Sequence, residues 1–230
     1  MKLLTLKNTK IEKSNKSDKG YLSIIMHLAP YTLSGNNVCP QASKGCAAAC
    51  LNTAGFGVYD TVQQARIKRT KWFFEDRVAF MAQLKTELKA FVKKCSKLSV
   101  KPAVRLNGTS DLKWEELDRG LFTEFSDVQF YDYTKITKRM IRYCNQELPD
   151  NYHLTFSRSE SNDAAVKQVL SAGGNVAVVF GDKLPKKWNG VKVINADVTD
   201  QRFLDPQHII CGLLAKGKGK KDNSGFVILN

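Results

Sequence analysis

Three of the six cysteines fall within one short string, C-P-Q-A-S-K-G-C-A-A-A-C, as Cys39, Cys46 and Cys50. Cys46 and Cys50 are four apart in an alanine-rich run, so on a helix they share one face, while Cys39 approaches from the preceding loop past Pro40 and Gly45. Three thiols then converge. Thiolates select soft metals, and three ligands with an open fourth position suit a site that does chemistry rather than one that only holds a fold. The ligand types favour an iron–sulfur cluster.

Other readings stand beside it. Zinc is the alternative metal, but the spacing is C-x6-C-x3-C without paired C-x2-C units, so a closed zinc site needs a fourth ligand. Cys95, Cys144, Cys211 or one of the three histidines would supply it, and Cys211, ending an expected strand, is the spare thiol best placed to do so. Cysteine is also a small buried hydrophobe, and two of them at i, i+4 can simply pack. Disulfides are a further option. Residues 1–19 are polar and lysine-rich, without the apolar segment of a secretory signal, so the expected location is the cytoplasm, where thiols stay reduced.

The elements that must position these thiols follow from the rest of the chain. At 230 residues and 43% hydrophobic, the chain can bury a full core. It divides into a loose basic lead-in over 1–19, with at most a short strand over 3–6, and a single domain over 20–230. No run approaches the roughly eighteen apolar residues of a membrane span, so a soluble protein is expected. The net charge of +14 favours an anionic partner: nucleic acid, nucleotide or another phosphorylated small molecule.

Strands are expected over 21–28, 103–106, 128–131, 152–156, 175–180, 191–194 and 208–211, and helices over 61–74, 76–94, 114–122, 138–145 and 163–171. Val78, Met81, Leu84, Leu88, Phe91 and Val92 recur at helical spacing and read as core. Such alternation implies an α/β fold of six or seven βα units on a mostly parallel sheet, either a complete or partial β/α barrel or an open doubly wound sheet. Ligands then collect at the C-terminal strand ends.

The loops at those ends carry hydrogen-bonding residues: Asn107, Thr109, Ser110 and Asp111 after one strand, Asp132 to Lys135 after the next, Ser157 and Arg158 after another. Each has a plainer explanation. Ser110 or Asp111 can cap the following helix, as S-R-S-E-S-N-D can cap the helix at 163. The run containing Lys216 and Lys218 reads as a solvated loop. Gly212 to Lys218 matches G-x4-G-K, but Gly219 stands where a phosphate-binding loop needs Ser or Thr.

A cysteine triplet after the first strand, followed by βα units with polar strand ends, resembles the plan of radical S-adenosylmethionine enzymes. More closely, the strings C-P-Q-A-S-K-G-C-A-A-A-C-L-N-T-A-G, R-L-N-G-T-S-D, F-Y-D-Y-T-K, T-F-S-R-S-E and G-L-L-A-K-G-K, ending in S-G-F-V, are similar to a bacteriophage family labelled gene product 88. If phage-encoded, the chain works in the host cytoplasm. The radical-enzyme resemblance implies a partial β/α barrel and a 4Fe–4S cluster on Cys39, Cys46 and Cys50, with one iron free for S-adenosylmethionine. Its reductive cleavage gives a 5′-deoxyadenosyl radical. By loop order, Asn107, Thr109, Ser110 and Asp111 are placed at the methionine end, Ser157 and Arg158 at the ribose or carboxylate, and Lys216 and Lys218 at an anionic substrate. The chain departs from the usual C-x3-C-x2-C spacing, and Ala49 precedes the last cysteine.

A different class of function remains open. The positive charge, Arg66, Lys68, Arg69 and Lys71 on one helix, and twenty-two aromatics also suit a nucleic-acid-binding protein whose cluster or zinc is structural.

Overall fold

The computed structural model describes residues 1–17 and 20–229. The chain begins with β1 (Leu4–Thr5) and α1 (Thr9–Ser17), so the segment expected as a loose lead-in is ordered up to residue 17. Positions 18 and 19 lie outside the described residues. Asn8 is the reason a helix starts here: its Oδ1 accepts from the amides of Lys10 and Ile11 at 3.0 and 3.2 Å. Ile11 and Ser14 then turn inward, leaving most of the lysines in water.

After β2 (Tyr21–Met26) the chain makes the long cysteine loop, which contains α2 (Lys44–Ala48) and two 3₁₀ turns, Leu51–Thr53 and Gly55–Val58. Two long helices follow, α3 (Asp60–Glu75) and α4 (Arg77–Lys97), separated where the Asp76 carboxylate caps α4 by accepting from the Ala79 amide at 2.9 Å. Phe80, Leu84, Leu88, Phe91 and Cys95 form the buried stripe of α4. Val78 departs from expectation: it is 83% exposed, because the stripe is centred on Phe80 and Val78 lies off it.

The second half supplies β3 (Lys101–Arg105), α5 (Trp114–Leu117), α6 (Arg119–Glu124), β4 (Gln129–Thr134), α7 (Thr137–Cys144), β5 (Tyr152–Ser157), α8 (Asp163–Ser171) and β6 (Val176–Phe180). The one helix expected over 114–122 is two, because Asp118 leaves helical geometry and caps α6 through Leu121. β7 (Lys187–Trp188), β8 (Val191–Asn195), a 3₁₀ turn (Arg202–Leu204), β9 (Ile210–Leu214) and a last 3₁₀ turn (Gly217–Lys221) complete the order.

Among the described residues nine strands form one sheet in the order β1-β2-β3-β4-β5-β6-β9-β8-β7. The pairs from β2 to β6, and β6–β9–β8, are parallel; β1 and β7 pair antiparallel at the two ends. The α/β class and mostly parallel sheet are as expected. Side chains alternate between the faces. Ile24, Met26, Val104, Phe130, Leu154, Phe156, Val176, Val178 and Ile210 belong to the main core, with α4, α7 and α8 contributing to it.

The opposite face is polar. Ser23, Arg105, Tyr131 and Thr155 project there, covered by α1 and the segment before β9. Gln201 Nε2 donates to Ser23 Oγ at 3.1 Å, and Phe203 packs its ring edge-on against Tyr21 at 4.9 Å between centroids. Ser14 Oγ of α1 accepts from the Asp200 amide at 2.7 Å. Among the described residues no helix is long and apolar enough to cross a membrane.

Candidate functional site

Parallel strands point their C-terminal ends one way, and a cavity of about 240 Å³ opens there. Cys39, Cys46 and Cys50 line it from the loop after β2, residues 107–111 from the loop after β3, Lys135 from beyond β4, Ser157 from the end of β5, and Lys216 from beyond β9. The expected loops thus share one rim. Arg158 and Lys218 are not among the lining residues.

The cysteine loop differs from expectation in one respect. α2 ends at Ala48, and Cys50 adopts φ −53°, ψ 140°, leading into the next 3₁₀ turn, so Cys46 and Cys50 do not share a helical face. Both reach the cavity nonetheless. α2 is fixed from across the rim by Glu160, whose carboxylate accepts from Ser43 Oγ and the Gly45 amide, each at 2.7 Å. Burial alone would raise the Glu160 carboxyl, but these two donors hold it below the usual carboxylate range. Ser43 in turn caps α2 through the Cys46 amide at 3.2 Å.

Cys39 is held between two backbone groups, its Sγ accepting from the Tyr31 amide at 3.3 Å and facing the Thr109 carbonyl at 3.6 Å. Burial pushes its thiol up to about 12, with Cys50 and Cys46 close enough to add to the rise. Burial also raises Cys50, while the Asn52 amide, Arg66 and Lys135 favour its thiolate. The three sulfurs therefore wall one region of the cavity. Among the described residues no three His, Cys, Asp or Glu side chains gather as a single metal ion requires.

The loop at 107–111 is rigid for identifiable reasons. Asn107 Oδ1 accepts from Ser110 Oγ, the Leu112 amide and Trp114 Nε1 at 2.8, 3.0 and 3.1 Å. Its Nδ2 donates to the Leu112 carbonyl and to Asp132, which also accepts from the Asn107 amide at 2.7 Å. Gly108 admits no side chain, because a Cβ there would strike the Met26 carbonyl and the His27 ring. Asp111 accepts from the Lys135 amide at 2.7 Å and from Arg139 at 3.2 Å. Asn107 and Asp111 are thus positioning residues whose polar atoms already serve the loop.

Arg139, missed by the sequence reading, ties this loop to the helices behind it. It grips Glu115 through two bonds of 2.8 and 2.7 Å and donates to Tyr152 Oη at 2.6 Å; Tyr152 donates to Asp132 at 2.7 Å. Burial pushes the Asp132 carboxyl up to about 7 against the pull of those donors. Arg158 is similarly structural: it donates to the carbonyls of Gly225 and Phe226 and pairs with Asp163 at 3.0 Å. Lys218 engages through its backbone, donating to Thr53 Oγ1 at 3.4 Å. Cys211 lies buried on β9, 3.5 Å from Asp205, and does not line the cavity.

The inner end of the cavity holds residues the sequence reading passed over: Lys10, Arg105 and Tyr133. Arg105 carried a signal, as a charge in a strand on the face opposite the apolar one; Lys10, one lysine of six in a basic stretch, carried none.

A family model described as "Gene product 88" matches residues 2–230. No curated protein and no solved structure matches the chain. The sequence motifs that line the cavity and the match across the chain agree, and the protein belongs to the gene product 88 family, a phage gene-product family.

Proposed function

We propose that the protein is an iron–sulfur enzyme of radical S-adenosylmethionine type, with Cys39, Cys46 and Cys50 as ligands of a 4Fe–4S cluster, acting on an anionic substrate. The observation that carries this reading is that all three thiols wall a single cavity at the C-terminal ends of parallel strands, beside a rigid polar loop. A cubane takes each cysteine on a separate iron, so its thiolates are spread around a volume instead of meeting at one point. That suits thiols arranged along a wall. When bound, the cluster supplies the electron for reductive cleavage of the S-adenosylmethionine sulfonium.

The chain's own residues do the rest. The Asn52 amide, Arg66 and Lys135 favour the thiolate of Cys50. Thr109 and Ser110 expose a backbone fixed by Asn107, available to the polar end of S-adenosylmethionine, and Ser157, with Lys135 Nζ donating to its Oγ at 2.8 Å, faces the same space. Lys216, paired with Asp197 at 2.5 Å, stands at the rim for an anion. In this reading the sheet is a partial β/α barrel, with α1 and the 3₁₀ turn at Arg202–Leu204 over its polar face.

Anaerobic purification with iron and sulfide analysis tests the proposal. About four irons and about four sulfides per chain, lost when the three cysteines become alanine, are expected. One zinc per chain, or no iron even after reconstitution, would overturn it.

One observation favours a second reading, a nucleic-acid-binding protein with a structural cluster or zinc. Leu51, Phe56, Val58 and Tyr59 are more than half exposed, and Phe56 and Tyr59 lie 6.4 Å apart between ring centroids. The lysines of Gly217–Lys221 adjoin that stretch through Thr53. Exposed rings beside lysines are how single strands are held. Binding that falls steeply with salt in the cysteine-free variant supports this reading.

A further inference from the structure

The inner end of the cavity is built from donors that lack acceptors. Lys10 comes from α1, Arg105 from β3 and Tyr133 from β4, and all three line the cavity. The Arg105 guanidinium lies 4.6 Å from the Tyr133 ring centre. Arg105 Nε and Tyr133 Oη are buried and have no hydrogen-bond partner among the described residues. Buried polar groups are normally satisfied, and unsatisfied ones at the end of a cavity point to a missing acceptor.

The charges agree. Asp200, beneath this end, is shared by two cations, Lys10 at 3.3 Å and Arg105 at 3.1 Å. Of the carboxylates lining the cavity, Asp111 is paired with Arg139 and Asp197 with Lys216. Lys135 Nζ meets a neutral partner, Ser157 Oγ, at 2.8 Å and the face of Phe226 at 5.6 Å. Two positive charges are therefore left without a carboxylate, one in the Lys10–Arg105 pair and one on Lys135. A phosphate monoester carries close to two negative charges at neutral pH and offers several acceptor oxygens.

We infer that Lys10, Arg105 and Tyr133 form an anion subsite for the phosphate monoester of the substrate, at the end of the cavity away from the thiols, with Lys135 completing the charge. The inference rests on the reading that this cavity holds the substrate, and it adds the substrate's chemical class. The carrier of the phosphate, a sugar or a nucleoside, is left to the probes.

Inorganic phosphate is the first probe, titrated by calorimetry against the full chain with chloride at matched ionic strength, then ribose 5-phosphate and adenosine 5′-monophosphate. Phosphate is expected to bind in preference to chloride, and at least one ester to bind as tightly. Tyr133→Phe removes an oxygen without a protein partner, so the variant is expected to fold at least as stably as the native chain while binding phosphate roughly tenfold more weakly. Lys10→Ala is expected to weaken it at least as much. The surface control Lys220→Ala/Lys221→Ala keeps native affinity, and so does the chain lacking Cys39, Cys46 and Cys50. That last arm separates the two claims: retained phosphate binding without iron sinks the cluster and leaves the subsite. No phosphate binding by the native chain, neither ester binding, or undiminished binding by both Tyr133→Phe and Lys10→Ala, would overturn the subsite.

Discussion

Arg105 on β3 donates through one nitrogen, Nη1, to both carboxylate oxygens of Asp200, at 3.1 Å each, joining a strand of the sheet to a loop far along the chain. Lys10 from α1 reaches the same carboxylate at 3.3 Å, and Tyr131 Oη donates to it at 3.3 Å. Three distant parts of the chain thus meet on one buried group. Burial opposes the Asp200 charge, but Arg105 and Lys10 outweigh it and hold the carboxyl down to about 2.

The sign of the pH dependence follows. A carboxyl lower in the folded chain than in the unfolded one stabilises the fold above the ordinary carboxylate range, and that contribution is lost as pH falls from about 4 towards about 2. It amounts to roughly 2 kcal/mol. Urea unfolding followed at several pH values between 6 and 2 should show this loss in the native chain and not in Asp200→Asn, which starts about 3–5 kcal/mol less stable because Arg105 and Lys10 lose their counter-charge.

Asn107→Ala strips the loop at 107–111 of the side chain that organises it. Ser110, Leu112, Trp114 and Asp132 lose partners together. A stability loss of about 3 kcal/mol is expected from urea unfolding, since buried groups are left unsatisfied. Any bound iron should be lost with it if Thr109, which faces Cys39, shifts.

Glu160→Ala removes the acceptor that holds Ser43 and Gly45, and with it the fixed start of α2. Global stability should fall by about 1–2 kcal/mol. Hydrogen exchange should accelerate most at residues 43–49, whereas an equal acceleration across the sheet would speak against a local clamp.

Cys39, pushed up to about 12 by burial, carries a thiolate fraction near neutrality roughly a thousandfold below that of an ordinary thiol. In metal-free protein, mass spectrometry after iodoacetamide at pH 8 should find Cys39 among the slowest of the six to react. Rapid alkylation of Cys39 in the folded chain would mean that its surroundings are open.

Much of the framework was legible because it depends on periodicity. The stripe Leu84, Leu88, Phe91 and the apolar run Val176–Phe180 announce their elements and their burial, and the strand ends locate the rim. What escaped depends on single side chains acting at a distance. Nothing near Lys10 shows that a basic stretch will be capped by Asn8 and drawn under the cavity by Asp200. The alanine-rich spacing of Cys46 and Cys50 suggests one helix, yet the helix ends between them. Polar loops also look alike in sequence whether they face a ligand or serve themselves; Arg158 and Asn107 belong to the latter kind.

The contacts between α1 and the loop before β9 bear on how the chain is made. Ser14 waits for the Asp200 amide, Lys10 for its carboxylate, and Ser23 for Gln201. During synthesis the early strands can pair and bury their apolar face while the polar face stays open, with α1 unanchored, until residues near 200 leave the ribosome. The inner end of the cavity is therefore among the last parts to assemble, and a nascent chain stalled before that point would display its sheet without a floor.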